Sequence, residues 1–406
     1  MKKFFALLLI TLFTLSSTFA QSQPYVLLVS FDGFRWDYLN RNLTPNLNKL
    51  SKQGVRAFSL KPVFPSKTFP NHISIITGMN AENHGIIANH FENPFTGEVY
   101  KVAKNSESVK QSKWYLGEAF WTTARRNGIV TASYFWPGSE LEVEYRRPNY
   151  FHHYEHNRPY KTRIDGVINW LKLPIQERPH FITLYFHETD SYGHGYGPNS
   201  LEVNKAISLL DSLTGYLTSR LEEIGMKDSV NIIFVSDHGM TEISPERIIN
   251  IENILKGFNY KMGGEKPFVL IEPDNEKDID LIYNVLKKNE NHYTVYKKEE
   301  LPEYFHYSKH PFISSIILVA DLGWSLVNNK WLERFKRNKS KGNHGYANYE
   351  TDMHGIFLAT GPKFKKGLRT GTLQNIDIYP LLCKIFNIEP RSNIDGKLER
   401  IEFILK

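Results

Sequence analysis

Hydrophobic residues along the chain gather into two patterns, unbroken short runs and helical stripes. Tyr25-Val-Leu-Leu-Val-Ser-Phe31 is almost continuously apolar, which predicts a strand covered on both faces, as in a parallel sheet. Runs of the same kind recur at 129–136, 180–186 and 231–236. Between the last two, Val203, Ile207, Leu210, Leu213, Leu217, Leu221 and Ile224 repeat at helical spacing and predict a long helix within 199–225, with Asp211 on its solvated side. A shorter helix is expected from Thr44 to about Lys52, opened by Thr44-Pro45 and closed by Gly54. Buried strands alternating with helices predict an α/β fold: a mostly parallel sheet with right-handed crossovers and helices on both faces.

From about 252 to 341 the pattern changes to a polar helix near 278–288, a stretch rich in Tyr and Lys, and one strong strand at 315–320. This reads as a small α+β insertion, after which 356–359 rejoins the sheet and 376–385 packs on it as a helix. The first residues differ again. Lys2 and Lys3 precede an apolar run and small residues up to Ala20, the layout of a signal peptide cleaved after Ala20. The run falls short of the roughly 20 apolar residues of a membrane span, so no transmembrane anchor is expected after cleavage. The expected plan is a signal peptide at 1–20 and one catalytic domain at 21–406 carrying the insertion.

Export with a single cysteine, Cys383, leaves no internal disulfide and suits a periplasmic or secreted bacterial protein. The net charge of +7 is spread along the chain except for the basic run 334–341. That run lacks the aromatic platforms of a nucleic-acid groove, so no stable nucleic-acid complex is expected. No feature suggests a protein partner.

Chemistry concentrates at strand ends. Asp32, Asp190 and Asp237 stand at or just beyond the carboxyl ends of three predicted strands, where ligands gather in open α/β sheets. Buried together they would repel, and cations are the natural remedy. His238 follows Asp237, His194 lies one helical turn beyond Asp190, and His354 stands before the returning strand. Carboxylate and imidazole without thiolate suit Zn²⁺ better than Mn²⁺. The stretch Phe64-Pro-Ser-Lys-Thr-Phe-Pro-Asn-His72 sets Thr68 at or near a helix N-terminus, since Pro70 fits only the first turn and Gly78 ends the helix. Free N–H groups there favour a phosphate, so Thr68 is either a nucleophile or a simple helix cap.

The chain resembles the ectonucleotide pyrophosphatase/phosphodiesterase family of the alkaline phosphatase superfamily over nearly all of its mature length. The resemblance rests on Ser30-Phe-Asp-Gly-Phe-Arg35, Lys67-Thr-Phe-Pro-Asn-His72, Asn83-His-Gly-Ile-Ile-Ala-Asn89, Phe135-Trp-Pro-Gly-Ser139, the segment 190–198, Ser236-Asp-His-Gly-Met240, and His344-Gly-Tyr through to Pro362. It implies an alkaline-phosphatase-like fold and a hydrolase with two Zn²⁺ per chain. One ion would be held by Asp32, Thr68, Asp237 and His238, the other by Asp190, His194 and His354. It also implies a phosphothreonine intermediate on Thr68, Asn89 as donor to a phosphate oxygen, and Phe69 and Tyr154 gripping a nucleotide base. The substrate would be a small phosphodiester or phosphoanhydride, with a nucleoside 5′-monophosphate released. Lipid or choline diesters, phosphomonoesters and sulfate esters stay open, although no Lys or Arg in the matched motifs is expected to hold a monoester's extra charge. Glu188-Thr-Asp190 departs from the family's usual Glu-Pro-Asp, and Ala347 stands where an Asp is common, which removes a hydrogen bond from the surroundings of the metal.

Overall fold

The structure is a computed structural model and describes residues 23–104, 106–338 and 340–406. The expected signal peptide lies outside the described residues, as does part of the basic run 334–341. The main sheet is built from β1 (Tyr25–Phe31), β2 (Val55–Ala57), β3 (Thr131–Tyr134), β4 (Tyr150–His152), β5 (Phe181–Phe186), β6 (Val230–Val235), β7 (Phe357–Thr360) and β8 (Leu368–Thr370). They lie in the order β8-β2-β7-β6-β1-β5-β3-β4. Strand β1 pairs in parallel with β5 on one side and β6 on the other. Only β7 opposes the rest, pairing antiparallel with both β6 and β2.

The three central strands are buried on both faces, which is why their sequences read as apolar runs. Leu27, Val29 and Phe31 of β1 face a core shared with α3 (Tyr160–Leu171) and α5 (Leu201–Glu223). Val26 and Leu28 face the opposite core, shared with α2 (Thr68–Thr77) and α6 (Ile378–Phe386). Helix α1 (Pro45–Gln53) shows where the sequence reading of Asp211 fails: this side chain of α5 is buried, not solvated. Its two oxygens accept from the backbone N–H groups of Asn46 and Leu47 at 3.1 and 2.8 Å. Thr44 makes no capping bond with its own side chain, so a carboxylate from another helix satisfies the start of α1.

Residues 260–320 add a four-stranded antiparallel sheet, ordered Tyr260–Glu265, Phe268–Pro273, Ile316–Ala320 and Tyr293–Lys297. Its alternation is two-sided. Val269, Ile271, Ile316 and Leu318 pack with Ile282 and Leu286 of the helix Ile279–Lys288, whereas Phe268, Leu270, Ile317 and Val319 pack with Val63 and Phe64. That second contact seats the segment leading into α2, and so the position of Thr68.

Candidate active site

Strand β1 lies between β5 and β6, and the chain places β3, β4 and β5 on one side of it and β2, β6, β7 and β8 on the other. A crevice forms at such a switch point, outside the carboxyl ends of the strands. Helix α4 (Glu188–Tyr196) follows β5 there and carries Asp190 and His194 on successive turns. Gly33, at φ +66°, lets the loops touch, because a Cβ on it would stand 2.8 Å from the Asp190 Cα.

Among the described residues two donor groups result, Asp32 with Asp237 and His238, and Asp190 with His194 and His344. In the first, the His238 Nε2 lies 3.3 Å from Asp32 Oδ1 and 3.1 Å from Asp237 Oδ2. In the second, the His194 and His344 Nε2 atoms are 3.2 Å apart and lie 3.3 and 3.6 Å from Asp190 Oδ1.

Each carboxylate of the first group is only half used by the protein. Tyr185 donates its hydroxyl to Asp32 Oδ2 at 2.5 Å, and the Gly33 N–H donates to Asp237 Oδ1 at 3.2 Å. The other oxygens, Asp32 Oδ1 and Asp237 Oδ2, are buried without a hydrogen bond, as is Asp190 Oδ1. The imidazoles repeat the pattern. His194, His238 and His344 meet the carbonyl oxygens of Gly342, Gly239 and Ser66 with Nδ1, at 2.9, 2.7 and 2.8 Å. A carbonyl only accepts, so the proton sits on Nδ1 and every Nε2 turns a lone pair, or a second proton, toward the carboxylates. Unpartnered carboxylate oxygens facing imidazole Nε2 atoms fit divalent cations.

Without metal, protons take that place. Burial, with Asp237 and Asp190 nearby, pushes Asp32 up to about 7. Burial works to lower His238, but Asp237 and Asp32 outweigh it and raise the imidazole to about 9. Burial works to raise Asp190, yet His194 outweighs it and lowers the carboxyl to about 2.

Thr68 opens α2 directly above the first group, its Oγ1 3.2 Å from His238 Nε2. His72, one turn on, meets the Thr68 carbonyl with Nδ1 at 2.9 Å and the Ser30 hydroxyl with Nε2 at 2.8 Å, with Nδ1 also 3.4 Å from Asp237. Asn89 accepts the Phe69 N–H at 3.1 Å. Tyr154 packs edge-on against Tyr185, the residue that holds Asp32, with centroids 6.2 Å apart, whereas Phe69 packs edge-on against Tyr100 at 6.4 Å. Thr189, the departure from the family's Pro, donates its hydroxyl to the Asp32 carbonyl at 2.6 Å and ties β1 to α4.

His354 requires correction. It lies outside both groups, its Nδ1 2.9 Å from the Ser59 hydroxyl and its Nε2 3.1 Å from the Asn348 carbonyl. His344 stands where His354 was expected. It arrives because Gly342–Asn343 pairs with Thr241–Glu242, just beyond His238. Lys67 was also missed: its buried ammonium reaches Glu265 of the four-stranded sheet at 3.2 Å, although the residue lies within a matched motif and next to Thr68.

The chain matches the Type I phosphodiesterase / nucleotide pyrophosphatase family over residues 26–347. It belongs to that family. Human ectonucleotide pyrophosphatase/phosphodiesterase family member 5 is 37% identical over 380 residues, covering 92% of this chain and 77% of the human protein. Xenopus laevis bis(5′-adenosyl)-triphosphatase enpp4 is 35% identical over 386 residues, covering 95% of this chain and 82% of its own length. The murine family member 5, solved as an inactive threonine-to-alanine variant in complex with AMP, superposes with a TM-score of 0.88 at 34% identity, covering 95% of this chain and 100% of that one. The chain is therefore a hydrolase of the nucleotide pyrophosphatase/phosphodiesterase type with the expected alkaline-phosphatase-like fold. The family is metal-dependent, and the two donor groups are its candidate metal positions in this chain. These relatives are vertebrate proteins and lend no support to a bacterial origin. No helix among the described residues is long and apolar enough to cross a membrane.

Proposed function

We propose that the chain is an exported two-zinc phosphodiesterase and nucleotide pyrophosphatase that works through a phosphothreonine on Thr68 and releases a nucleoside 5′-monophosphate. The observation that carries this reading is the Thr68 Oγ1, 3.2 Å from His238 Nε2, above buried carboxylate oxygens that make no hydrogen bond. Asp32, Asp237, His238 and Thr68 would hold one ion, and Asp190, His194 and His344 the other. When bound, the pair supplies Lewis-acid stabilisation of the attacking and leaving oxygens and lowers the pKa of the threonine hydroxyl.

The residues do the rest. Thr68 Oγ1 forms a bond to phosphorus as the bond to the leaving oxygen breaks, and water later cleaves the phosphothreonine. Asn89 is fixed by the Phe69 N–H on its Oδ1, so its Nδ2 arm donates to a phosphoryl oxygen. The N-terminus of the ten-residue helix α2 adds backbone donors and its dipole. Tyr154 and Phe69 would hold the base. Support comes from the murine relative, inactivated by loss of a threonine and captured with AMP. Lys67 shares its charge with Glu265, which argues against its serving as a dedicated holder of a monoester's extra charge.

Replacing Thr68 with Ala should lower turnover of p-nitrophenyl thymidine 5′-monophosphate by at least about 1000-fold while metal content stays near wild type. Turnover within tenfold of wild type would overturn the nucleophile. Faster wild-type hydrolysis of p-nitrophenyl phosphate than of the diester would overturn the diesterase assignment.

A further inference from the structure

At the edge of the main sheet opposite the metal groups, the chain gathers positive charge. Strand β7 runs against β6, with Phe357 beside Val235 and Thr360 beside Ile232, so the residues after Thr360 leave the sheet where β6 begins. They read Gly361-Pro-Lys-Phe-Lys-Lys366. Phe364 is buried in the core that α6 shares and bridges to Leu405, while the Lys365 and Lys406 N–H groups donate to the Ile404 and Lys363 carbonyls, each at 3.0 Å. This pairing fixes the lysines on either side of Phe364 at the surface.

Two adjoining hollows flank the segment, of about 740 and 550 Å³, with Pro362 and Lys406 common to both. The first is lined by Val230 and Ile232 of β6 and by Lys49 of α1, Lys227 and Lys366. The second holds Lys363, Lys365 and Lys384, the last on α6. Against these seven lysines stand three carboxylates, Glu222, Asp228 and Glu402. Among the described residues, Lys227 alone of the seven is in an ion pair, with Glu222 at 2.8 Å. Apolar surface lies among the charges. Phe403 is 42% exposed, its carbonyl accepting the Lys365 ammonium at 2.7 Å, and Ile385 and Leu405 line the same hollow.

We propose that this face docks on an anionic lipid bilayer, with the lysines taking the head-group phosphates and Phe403 entering the interface, so that the protein works at a membrane surface with its catalytic crevice turned toward solution. Charge selects a polyanionic partner. The exposed phenyl ring among ammonium groups selects a bilayer over a polar chain such as a sulfated polysaccharide, because an apolar ring with lysines around it is the make-up of surfaces that lie in the head-group region. The orientation follows from the sheet. Asp237 stands beyond the far end of β6, and the six residues of that strand, at about 3.3 Å each, put the first metal group about 20 Å from the docking face. Substrate therefore reaches the crevice while the protein is bound. Each net positive charge close to an anionic leaflet strengthens binding by about fivefold, so the excess of lysine over carboxylate should favour an anionic over a neutral bilayer by about 100-fold or more at low salt.

Sedimentation with vesicles of phosphatidylglycerol and phosphatidylcholine in equal parts, and with phosphatidylcholine vesicles alone, reads the docking without reference to catalysis. Wild type should sediment with the anionic vesicles at low salt, stay in solution with the neutral ones, and be released by high sodium chloride. The Lys363→Gln/Lys366→Gln/Lys384→Gln variant should lose about 100-fold in partitioning, with kcat/KM on p-nitrophenyl thymidine 5′-monophosphate unchanged. If that variant does not fold, Lys384→Gln alone, on an exposed residue, should lose about fivefold. Phe403→Ser should weaken vesicle binding and leave retention on a heparin resin as it was. Equal sedimentation with both kinds of vesicle, or lysine variants that bind as tightly as wild type, would overturn the docking face. Retention on heparin without sedimentation on anionic vesicles would assign the face to a polyanionic chain and overturn the bilayer. Wild type that hydrolyses the ester in solution but stops when bound to vesicles would overturn the orientation; a protein inactive in both states while still sedimenting would count against the proposed function and leave the docking standing.

Discussion

Replacing His344 and His354 one at a time with Ala should give opposite results, and the difference follows from what each ring touches. His344 turns Nε2 into a donor group, 3.6 Å from Asp190 Oδ1 and 3.2 Å from His194 Nε2. Removing a ligand should weaken metal binding there by about 100-fold or more, since even partners behind a ligand are worth about 10–100-fold. At a fixed metal concentration well above Kd, a 100-fold loss cuts the metal-dependent stabilisation by about 2.7 kcal/mol. His354 has no such role in its surroundings. Its removal costs two hydrogen bonds of about 1 kcal/mol each, and Ser59 keeps a second partner in the Thr372 hydroxyl at 2.9 Å. Burial lowers His354 to about 4, so it is neutral near pH 7 and its loss removes no charge. The assay is metal per chain by mass spectrometry after dialysis against a weak chelator, with thermal melts run with and without added zinc. His344→Ala should hold about one ion fewer and show a smaller zinc-dependent rise in Tm. His354→Ala should hold the wild-type number, with both melts lowered together by about 2 kcal/mol. A His354→Ala protein that loses an ion, beside a His344→Ala protein that keeps both, would refute the reading of the site.

Stability of the metal-free protein should depend on pH in a defined direction. Asp32 is raised to about 7 and His238 to about 9, so both contribute stability at low pH that is lost as pH rises through those values. Its Tm should fall between about pH 6 and 9, and added zinc should remove most of that fall; a metal-free Tm that climbs over this range would contradict the assignment. Arg35 joins three loops, donating to Asp37, to the Met240 carbonyl at 3.0 Å and to Asn199 at 3.0 Å. Arg35→Met should weaken zinc binding about 10-fold in a chelator competition, and an unchanged affinity with only a lower Tm would reduce it to a structural brace. Asp211→Ala strips two backbone N–H groups at the start of α1 of their acceptor and should cost about 1–3 kcal/mol in urea unfolding, with kcat/KM unaltered.

The parts of this protein legible in its sequence are those where one local pattern has one structural meaning. Unbroken apolar runs gave β1, β5 and β6, and their ends placed Asp32, Asp190 and Asp237 at one edge. Three-residue strands such as β2, β4 and β8 are too short for any period to show, and they take their place through pairing alone. The expectation of His354 departs from the structure for a sharper reason. Because β7 runs against its neighbours, its first residues lie at the same edge as the carboxyl ends of the others, so His354 is at the correct edge. The Ser59 hydroxyl and the Asn348 carbonyl then occupy both of its ring nitrogens. His344 comes to the site through a two-residue pairing with Thr241–Glu242, a contact between distant segments that has no local signature.

The residues that break the ordinary rules of burial mark the chemistry. A stable interior pairs each buried carboxylate completely, as Asp377 is by Arg400 and the Lys397 N–H, or Asp211 by α1. Asp32, Asp237 and Asp190 each keep one oxygen without a hydrogen bond, in a place where burial raises the cost of charge. Their surroundings hold them in that state. Tyr185, the Gly33 N–H and the Thr189 hydroxyl fix the Asp32 and Asp237 loops, and the Gly342, Gly239 and Ser66 carbonyls aim the imidazoles. A fold that invests this many directed bonds in keeping like charges together, beneath one threonine hydroxyl, fits a bound cation better than it serves its own stability.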